Sequence, residues 1–363
     1  MASTRDRDVR RHPDAPQSLK AAVLGAGTIG QLRARAVREL PHIDLVAVAD
    51  SNEDAARAAA GGRAAVFTDY RALLEQVRID LAIVSSPVHL HEEMAIHSLA
   101  ADAHVLCEKP LANSVASCRR ILDAAARQGR QLAVGFNHRY LPAMKYLKQV
   151  IDDGIIGHVD HLRVFGGHDG LRNFRADWMY KAPMSGGGAM MDVGIHMTDL
   201  ARFMLGEVTE VYGVASERIW QVAGSEDNAL AILKSDAGIP AIFQATWTEW
   251  RGYDIHIDAY GDRGMVRAAY APMFNLLVTQ PRPGAARRRR VKWYPQLIVR
   301  EKLWGWESTS YVTLREELAD FVRRLRGESV PLADGWAGLR AVEIAAAVRE
   351  STRTGAPVVL SSP

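Results

Sequence analysis

Three ionisable residues of this chain have types and spacings suited to proton transfer. Asp192 and His196 lie four positions apart after the glycine run 186–188, and residues four apart share one face of a helix. A carboxylate beside an imidazole can orient and stabilise a proton carrier. Lys109 follows an apolar run, so its ammonium group can polarise an oxygen at the end of a predicted strand.

Each of these features also has an ordinary structural explanation. An Asp and a His at this spacing often form a surface salt link. A lysine after a strand is often only a solvated loop residue. Proton transfer therefore needs support from motifs elsewhere in the chain.

A glycine fingerprint near the start of the chain predicts a bound dinucleotide. Gly25, Gly27 and Gly30 have the spacing Gly-x-Gly-x-x-Gly, and they lie between the apolar run 21–24 and a helical stretch. The first glycine permits a tight turn, the second lets the backbone approach a pyrophosphate, and the third lets helix and strand pack closely. The N-terminus of the helix adds unpaired N–H groups and the positive end of its dipole.

Asp50 predicts which dinucleotide is bound. It closes the apolar run 45–49, twenty residues after Gly30, where a carboxylate can accept hydrogen bonds from the adenine ribose. This carboxylate would repel a 2′-phosphate, and the next residues, Ser51-Asn52-Glu53, offer no guanidinium to neutralise one. The predicted cofactor is therefore NAD, with NADP disfavoured. The alternative is that Asp50 only caps a helix beginning near Asn52.

Residues 20–136 alternate apolar runs with helical stretches, which is typical of an α/β fold with a doubly wound parallel sheet. Several runs are almost entirely apolar, as strands buried on both faces are. Strands are predicted at 21–24, 45–49, 64–67, 81–84, 104–107 and 131–136. Helices are predicted at 31–40, 90–101 and 116–127. This half of the chain is predicted to be a Rossmann domain.

The second half predicts an α+β domain with a large, mostly antiparallel, open-faced sheet. All eight Trp residues lie at position 178 or beyond, and several segments alternate polar with apolar residues. Strands are predicted at 159–165, 210–220, 230–234, 241–250 and 253–260, and closing helices at 314–325 and 336–351. The aromatic residues Trp220, Phe243, Trp247 and Trp250 are candidates for a subunit interface on the open face or, equally, for the domain's own core.

Length and composition limit the class of protein. At 363 residues the chain is predicted to have a disordered lead-in (1–18), a cofactor domain (19–137) and a substrate domain (138–363) whose closing helices can pack back on the cofactor domain.

Cys107 and Cys118 lack metal-ligand spacing and are too few for a disulfide framework, so no metal and a cytoplasmic location are expected. No apolar run is long enough to span a membrane. The net charge is +3, and the basic run 287–290 is predicted to be a solvated loop, not a nucleic-acid site.

Several motifs, in this order along the chain, are similar to those of the glucose-fructose oxidoreductase, inositol dehydrogenase and rhizopine-catabolism (Gfo/Idh/MocA) family. They are the glycine fingerprint, Ser86-Pro87 with His91, the triplet Glu108-Lys109-Pro110, and the glycine run before Asp192 and His196. The resemblance extends from about residue 20 to the end of the chain. It implies a Rossmann domain, a substrate domain with an open sheet, and homodimers or homotetramers.

The resemblance also implies roles for particular residues. His196 is expected to be the acid–base group, Asp192 to orient it and Lys109 to polarise the reacting oxygen, although Lys109 and His196 could exchange roles. The expected cofactor-binding residues are Gly25, Gly27, Thr28, Ile29, Gly30, Asp50, Ser51, Ser86, Pro87, His91, Glu108, Lys109 and Asn137. The expected substrate-binding residues are Lys109, Arg139, His168, Asp169, Trp178, Asp192 and His196. The ring of Trp178 could instead belong to the core.

The predicted reaction is hydride transfer between nicotinamide and a secondary hydroxyl or ketone of a cyclic polyol, sugar or sugar-containing metabolite. Two alternatives stay open. One is an enzyme that oxidises a sugar transiently so that a glycosidic bond can be eliminated or hydrolysed, and the other is a sensor that binds dinucleotide without turnover. The intact set of Lys109, Asp192 and His196 argues against a sensor, because binding alone needs no acid–base group.

Overall fold

A computed structural model describes residues 18–172, 176–280 and 282–361. Apart from Ser18, the predicted lead-in lies outside these residues. No helix in the described ranges is long and apolar enough to cross a membrane.

The first half of the chain forms a six-stranded parallel sheet. Its strands are β1 (Leu19–Leu24), β2 (Ile43–Ala49), β3 (Ala65–Phe67), β4 (Leu81–Val84), β5 (His104–Glu108) and β6 (Leu132–Gly135). The order across the sheet is β3-β2-β1-β4-β5-β6, and neighbouring strands are parallel. The predicted doubly wound Rossmann sheet is thereby confirmed. Its strand order reverses between β1 and β4, the point at which ligands bind in such folds.

Helices connect these strands, and the N-terminus of α1 follows a glycine that offers no capping side chain. They are α1 (Thr28–Glu39), α2 (Glu53–Ala60), α3 (Tyr70–Gln76), α4 (His91–Ala100) and α5 (Val115–Gln128). The side chains of Asn52, Asp69 and Ser114 accept backbone N–H groups and so cap α2, α3 and α5. Gly27, which has no side chain, precedes α1. The first N–H groups of α1 are therefore left for a ligand.

The second half forms a large, mostly antiparallel sheet, as predicted, and this sheet has nine strands. Its strands are β7 (Val159–Gly167), β8 (Val208–Ser216), β9 (Asn228–Ser235), β10 (Pro240–Thr246), β11 (Asp254–Gly261), β12 (Gly264–Tyr270), β13 (Phe274–Thr279), β14 (Arg288–Trp293) and β15 (Val358–Val359). Their order is β14-β13-β12-β11-β7-β10-β9-β8-β15. Strands β7 and β10 run parallel, and the other neighbouring pairs are antiparallel.

The helices of this half cover one face of the nine-stranded sheet and also reach the Rossmann domain. They are α6 (Pro142–Asp152), α7 (Ala182–Ser185), α8 (Gly194–Leu205), α9 (Pro295–Trp304), α10 (Glu307–Leu325) and α11 (Gly335–Thr354). Helices α6, α8 and α11 pack on the sheet, while α10 lies against α1 and α11 against α5. Leu318 and Phe321 of α10 are fully buried in one cluster with Ala34 and Val37 of α1.

The opposite face of the nine-stranded sheet is open and apolar. Along β9, the small residues Ala229 and Ala231 point inward, whereas Leu230 and Ile232 are 47% and 54% exposed. Of the four aromatic candidates for this face, Phe243 and Trp247 are buried in the core, Trp220 is half-buried against it and Trp250 is 70% exposed. For Phe243 and Trp247 the core interpretation is correct.

The structure corrects the prediction that the basic run 287–290 is a solvated loop. Residues Arg288–Trp293 form β14, an edge strand paired with β13, and not a loop. All of its side chains are exposed, so the strand has no covered face. The alternation of polar and apolar residues that predicts a strand is therefore missing.

Candidate functional site

The glycine loop between β1 and α1 has the shape that a pyrophosphate needs. Gly25 has a φ of +98°, and a Cβ there would lie 2.6 Å from the Ser85 carbonyl oxygen. A Cβ at Gly30 would lie 2.0 Å from the Gly25 carbonyl oxygen, so helix and strand pack too closely for any side chain. At Gly27 a Cβ would meet nothing described within 4 Å, and Thr28 and Ile29 follow it as the first residues of α1. This open space beside a helix N-terminus fits a dinucleotide.

Asp50 is hydrogen-bonded to the glycine loop. Its Oδ2 accepts the backbone N–H of Ala26 at 2.6 Å, and its Oδ1 accepts that of Asn52 at 2.8 Å. The cap of α2 is Asn52, whose side chain accepts the Ala55 N–H, so the capping alternative for Asp50 is wrong. Ser51, beside Asp50, is exposed. Carboxylate oxygens accept more than one hydrogen bond, so Asp50 can also bind a ribose hydroxyl.

His91 ties two turns together at the carboxyl end of the parallel sheet. Its buried ring places Nε2 2.9 Å from the Ser86 carbonyl oxygen and Nδ1 2.9 Å from that of Pro110. The Ser86-Pro87 turn follows β4, and the Lys109-Pro110 turn follows β5. His91 thereby fixes the position of the turn that carries Lys109.

Asp192 lies in the turn before α8 and not on the helix. Its Oδ2 accepts hydrogen bonds from His168 Nε2 at 2.7 Å and from Trp247 Nε1 at 3.0 Å. The expectation that Asp192 orients His196 is therefore corrected, because the carboxylate is held by these two donors, which directly follow β7 and β10. His168 Nδ1 in turn accepts the Gly170 backbone N–H at 3.0 Å, which leaves the ring proton on Nε2.

The partners of Asp192 keep it ionised. Burial raises the pKa of a carboxyl group, but the His168 hydrogen bond, the Lys109 charge and the Trp247 hydrogen bond together lower the pKa of Asp192 to about 2. Lys109 approaches the same turn, since its Nζ donates to the Asp192 carbonyl oxygen at 3.3 Å. The Lys109 ammonium group is thus near enough for its charge to act on the ionised Asp192 carboxylate.

His196, on the first turn of α8, is buried against a second histidine. Its ring is stacked on that of His138, with centroids 3.6 Å apart and planes 21° apart. Burial lowers the pKa of His196 well below its usual range, and the nearby His138 and Lys109 lower it further. The imidazole is therefore neutral, and a neutral ring has one nitrogen lone pair that can accept a hydrogen bond from a hydroxyl.

Three predicted site residues are bonded to other parts of the protein. The Arg139 guanidinium binds both carboxylate oxygens of buried Asp199, at 2.7 and 2.6 Å. Glu108 accepts from Arg33 Nε at 2.7 Å, and Asn137 Nδ2 donates to Thr313 Oγ1 at 2.8 Å. These contacts hold the surrounding elements in place. The cofactor and substrate roles of Glu108, Asn137 and Arg139 stay predictions.

A cavity at the carboxyl end of the parallel sheet gathers several of the predicted residues. Its lining includes Ser86, His91, Lys109, Trp178, Asp192 and Trp247. His168 lies behind Asp192, and His196, Arg139 and Asp169 do not line the cavity. The half-buried Trp178 ring is 6.3 Å from that of His89, so it forms part of the wall.

Sequence reasoning missed two residues of this site. His138 directly follows Asn137, and its place after β6 is the one local signal for it. Trp247 follows β10 and reaches Asp192, which is 55 positions away. No spacing in the sequence indicates a contact between such distant residues.

Both halves of the chain match family models. Residues 19–136 match the model for an oxidoreductase family with an NAD-binding Rossmann fold, and residues 144–267 match the GFO/IDH/MocA C-terminal domain. The chain is also 31% identical over 353 residues to an inositol 2-dehydrogenase of Pseudomonas fluorescens, an alignment that covers 95% of this chain and 98% of the relative. The chain belongs to the Gfo/Idh/MocA oxidoreductase family. As a member of it, the protein is an NAD-binding oxidoreductase.

Solved structures of Gfo/Idh/MocA proteins have the same architecture. An oxidoreductase domain protein from Kribbella flavida is 27% identical with a TM-score of 0.84, and the match covers 95% of this chain and 100% of that one. A levoglucosan dehydrogenase in complex with NADH has a TM-score of 0.85 at 24% identity, covering 96% and 100%. At that identity the second likeness concerns the fold alone.

Proposed function

We propose that this Gfo/Idh/MocA protein transfers hydride between NAD and a secondary hydroxyl or ketone of a cyclic polyol or sugar. The observation that carries the proposal is the approach of Lys109 Nζ to within 3.3 Å of the Asp192 carbonyl oxygen beside a cavity. Lys109 and the ionised Asp192 line this cavity. The neutral imidazole of His196 lies outside the lining but is near enough for the Lys109 charge to act on it. The similarity to an inositol 2-dehydrogenase supports a cyclic polyol as the substrate class.

The chain's own residues control the proton and the charge on the substrate oxygen. Nicotinamide, when bound, takes up or returns the hydride. Lys109 has three N–H donors and uses one on the Asp192 carbonyl, so it can also bind the substrate oxygen. Asp192 can accept a neighbouring hydroxyl through Oδ1, while Oδ2 is held by His168 and Trp247. The neutral ring of His196 accepts the hydroxyl proton during oxidation and returns it during reduction.

A different residue, Asp50, favours NAD over NADP as the cofactor. Asp50 presents a carboxylate beside the glycine loop, and no guanidinium follows it in the sequence. A 2′-phosphate would meet like charge there. The glycine loop would hold the pyrophosphate, with Gly27, Thr28 and Ile29 closest to it.

A substrate screen tests the proposal. Inositols, hexoses, amino sugars and glycosides are each incubated with the full-length protein and NAD, and NADH is followed by its absorbance. We expect net NADH from at least one polyol or sugar. Lys109→Met and His196→Asn should each lower kcat by roughly 10²- to 10⁴-fold, the usual contribution of positioned proton transfer, with NAD binding unchanged. Lys145→Met is the matched control, because Lys145 is exposed and pairs with Glu316 away from the cleft.

Two results would count against this function. Near-full activity of Lys109→Met or His196→Asn would remove the role assigned to that residue. Cleavage of a glycoside with NAD tightly retained and no net NADH would replace the dehydrogenase with an enzyme that oxidises its substrate only transiently.

We also infer that the chain has a cofactor unit (19–137) and a substrate unit (138–363), and that the open face of the nine-stranded sheet joins two copies. Register places Tyr212, Ile232 and Ile242 side by side on β8, β9 and β10. All three are at least 42% exposed. A contiguous exposed row of large apolar residues is typical of a protein–protein contact. A homodimer, or a homotetramer built from it, would cover this row.

A further inference from the structure

Two histidine rings are stacked at the candidate site, and the proposed function uses one of them. The rings of His138 and His196 lie 3.6 Å apart between centroids, with 21° between their planes. His138 belongs to the 3-10 turn Asn137–Tyr140 after β6, and His196 belongs to α8. The stack therefore packs the turn that follows the last Rossmann strand against α8.

The surroundings of the two rings offer little stabilisation to a positive charge. Nδ1 of each ring is buried and has no hydrogen-bond partner in the described part of the chain. Lys109, from the turn after β5, is a cation that acts on both rings. Phe136 presents its ring to His196 at 6.1 Å, edge to face.

The other charged or titratable groups nearby are engaged with different partners or are neutral. Tyr253, ahead of β11, places its hydroxyl 3.4 Å from His138 Nε2. The carboxylate of Asp192 is bonded to His168 and Trp247. In the same turn as His138, the Arg139 guanidinium is paired with Asp199 of α8. No carboxylate in the described ranges is hydrogen-bonded to either ring of the stack.

We propose that His138 is a positioning residue whose ring covers one face of His196 and keeps that imidazole neutral and oriented for proton transfer. The inference rests on the proposed function in so far as His196 is the acid–base group. Its physical basis is that the covering ring excludes water from His196, which disfavours the charged form. Two imidazolium rings at this distance, beside the Lys109 ammonium group, would also repel each other strongly. Burial and Lys109 lower the pKa of His138 itself to about 3, so the covering ring stays neutral.

The alternative is that the stack is only packing. In that case the removal of His138 would change the stability of the protein and leave the protonation of His196 as it was. The protonation state of His196 therefore separates the two explanations, and it can be measured without a substrate.

The test uses the full-length protein with histidine labelled by ¹³C at Cε1, followed by NMR as a function of pH. The signals of His196 and His138 are assigned by their loss in His196→Asn and His138→Phe. In the wild type we expect the His196 midpoint to lie well below the ordinary value near 6.5, because burial, His138 and Lys109 all disfavour the charged ring. His138→Ala should raise the titration midpoint of His196 by at least one pH unit. His138→Phe, which keeps a flat covering ring, should behave like the wild type.

A matched control and a second variant make the result decisive. His161→Ala removes another stacked histidine, one whose ring lies 4.5 Å from Tyr260, and should leave the His196 midpoint unchanged. If His138→Ala does not fold, His138→Asn removes the aromatic face in its place. An ordinary His196 midpoint in the wild type, or the same depressed midpoint after loss of the His138 ring, would overturn the proposal.

The outcome is independent of the substrate screen. If no polyol or sugar is turned over, the proposed function fails while the NMR result still stands. If one is turned over, the acid limb of kcat/KM should also move to higher pH in His138→Ala and stay in place in His138→Phe.

Discussion

Asp50 is the residue through which cofactor choice can be tested. A hydrogen bond to a charged group contributes about 1.5–3 kcal/mol, so Asp50→Ala should weaken NAD binding roughly ten- to hundredfold. It should weaken NADP binding less, because the repelling charge is gone. Dissociation constants for both cofactors, measured by titration calorimetry, check this. Asp69→Ala is the control, since Asp69 makes a similar bond to the Arg71 N–H away from the glycine loop. Unchanged NAD affinity in Asp50→Ala would remove the ribose assignment.

Trp247 supports Asp192 through a single N–H group. Trp247→Phe removes that donor and retains most of the buried ring, so the pKa of Asp192 should rise and the carboxylate should lose part of its fixed position. We expect kcat to fall roughly tenfold or more, the effect of losing one hydrogen bond to a charged group. Steady-state kinetics with the substrate found in the screen measure this. Trp336→Phe, a half-buried ring on α11, is the comparison. Equal kcat values for the two variants would show that the Trp247 N–H has no part in the reaction.

For single residues, the sequence predicts contacts between neighbours in the chain. It does not predict contacts between distant residues that folding brings together. The structure has the geometry that the spacing of Gly25, Gly27 and Gly30 predicts, although the close approach of Gly25 to Ser85 is not local in the sequence. Asp192 and His196 have the spacing of a pair on one helix face, but α8 begins at Gly194. The carboxylate therefore points to His168 and Trp247, which no local pattern connects to it.

Between elements, a buried ion network fastens α1 and α10 to the turn that carries Lys109. Arg33 of α1 lies between Glu108 at the end of β5 and Glu317 of α10, at 2.6 and 2.5 Å. Glu317 Oε1 is buried without a hydrogen-bond partner among the described residues. Burial raises the pKa of Glu317 to about 7, against the opposing charge of Arg33.

The raised pKa of Glu317 predicts how stability changes with pH. Between about pH 4.5 and 7 the unfolded chain has released this proton while the native protein keeps it, so the free energy of unfolding falls as the pH rises. Glu317→Gln should abolish this contribution, which is on the order of 3 kcal/mol. Urea unfolding of both proteins across this range measures it. The difference in pH dependence between the wild type and Glu317→Gln isolates the contribution of Glu317. Neutral buried His138 and His196 make the free energy of unfolding rise with pH, and they do so equally in both proteins.

Glu316→Gln is the control for this experiment, since Glu316 is exposed and pairs with Lys145. It should leave the pH dependence of unfolding unchanged. A Glu317→Gln protein with the same slope as the wild type would mean that Glu317 is already ionised in the native state.

The predictability of the elements follows their burial. Strands β1, β2, β4 and β5 are buried on both faces, so their apolar runs mark them clearly. β14 is exposed on both faces and carries consecutive arginines, so its pattern resembles a loop. This edge strand forms because it pairs with β13. That pairing depends on the rest of the sheet and not on the local sequence.

For the whole molecule, the open sheet face predicts the oligomeric state. Ile232→Lys places a charge at the centre of the row formed with Tyr212 and Ile242. Burying that charge in an interface is costly, so the variant should be monomeric where the wild type is a dimer or tetramer. Light scattering coupled to size exclusion measures this. Ile155→Lys, at an isoleucine that is 41% exposed outside the sheets, should retain the assembly. A wild-type monomer would refute the interface.

The packing of α10 against α1 has a consequence for synthesis on the ribosome. Leu318 and Phe321 complete the apolar cluster around Ala34 and Val37, yet they are translated long after β6. At about 5–20 residues per second, the nascent Rossmann half waits on the order of ten seconds or more with this part of its core uncovered. The half that binds the cofactor is thus made first, and this part of its core is covered only after α10 has been translated.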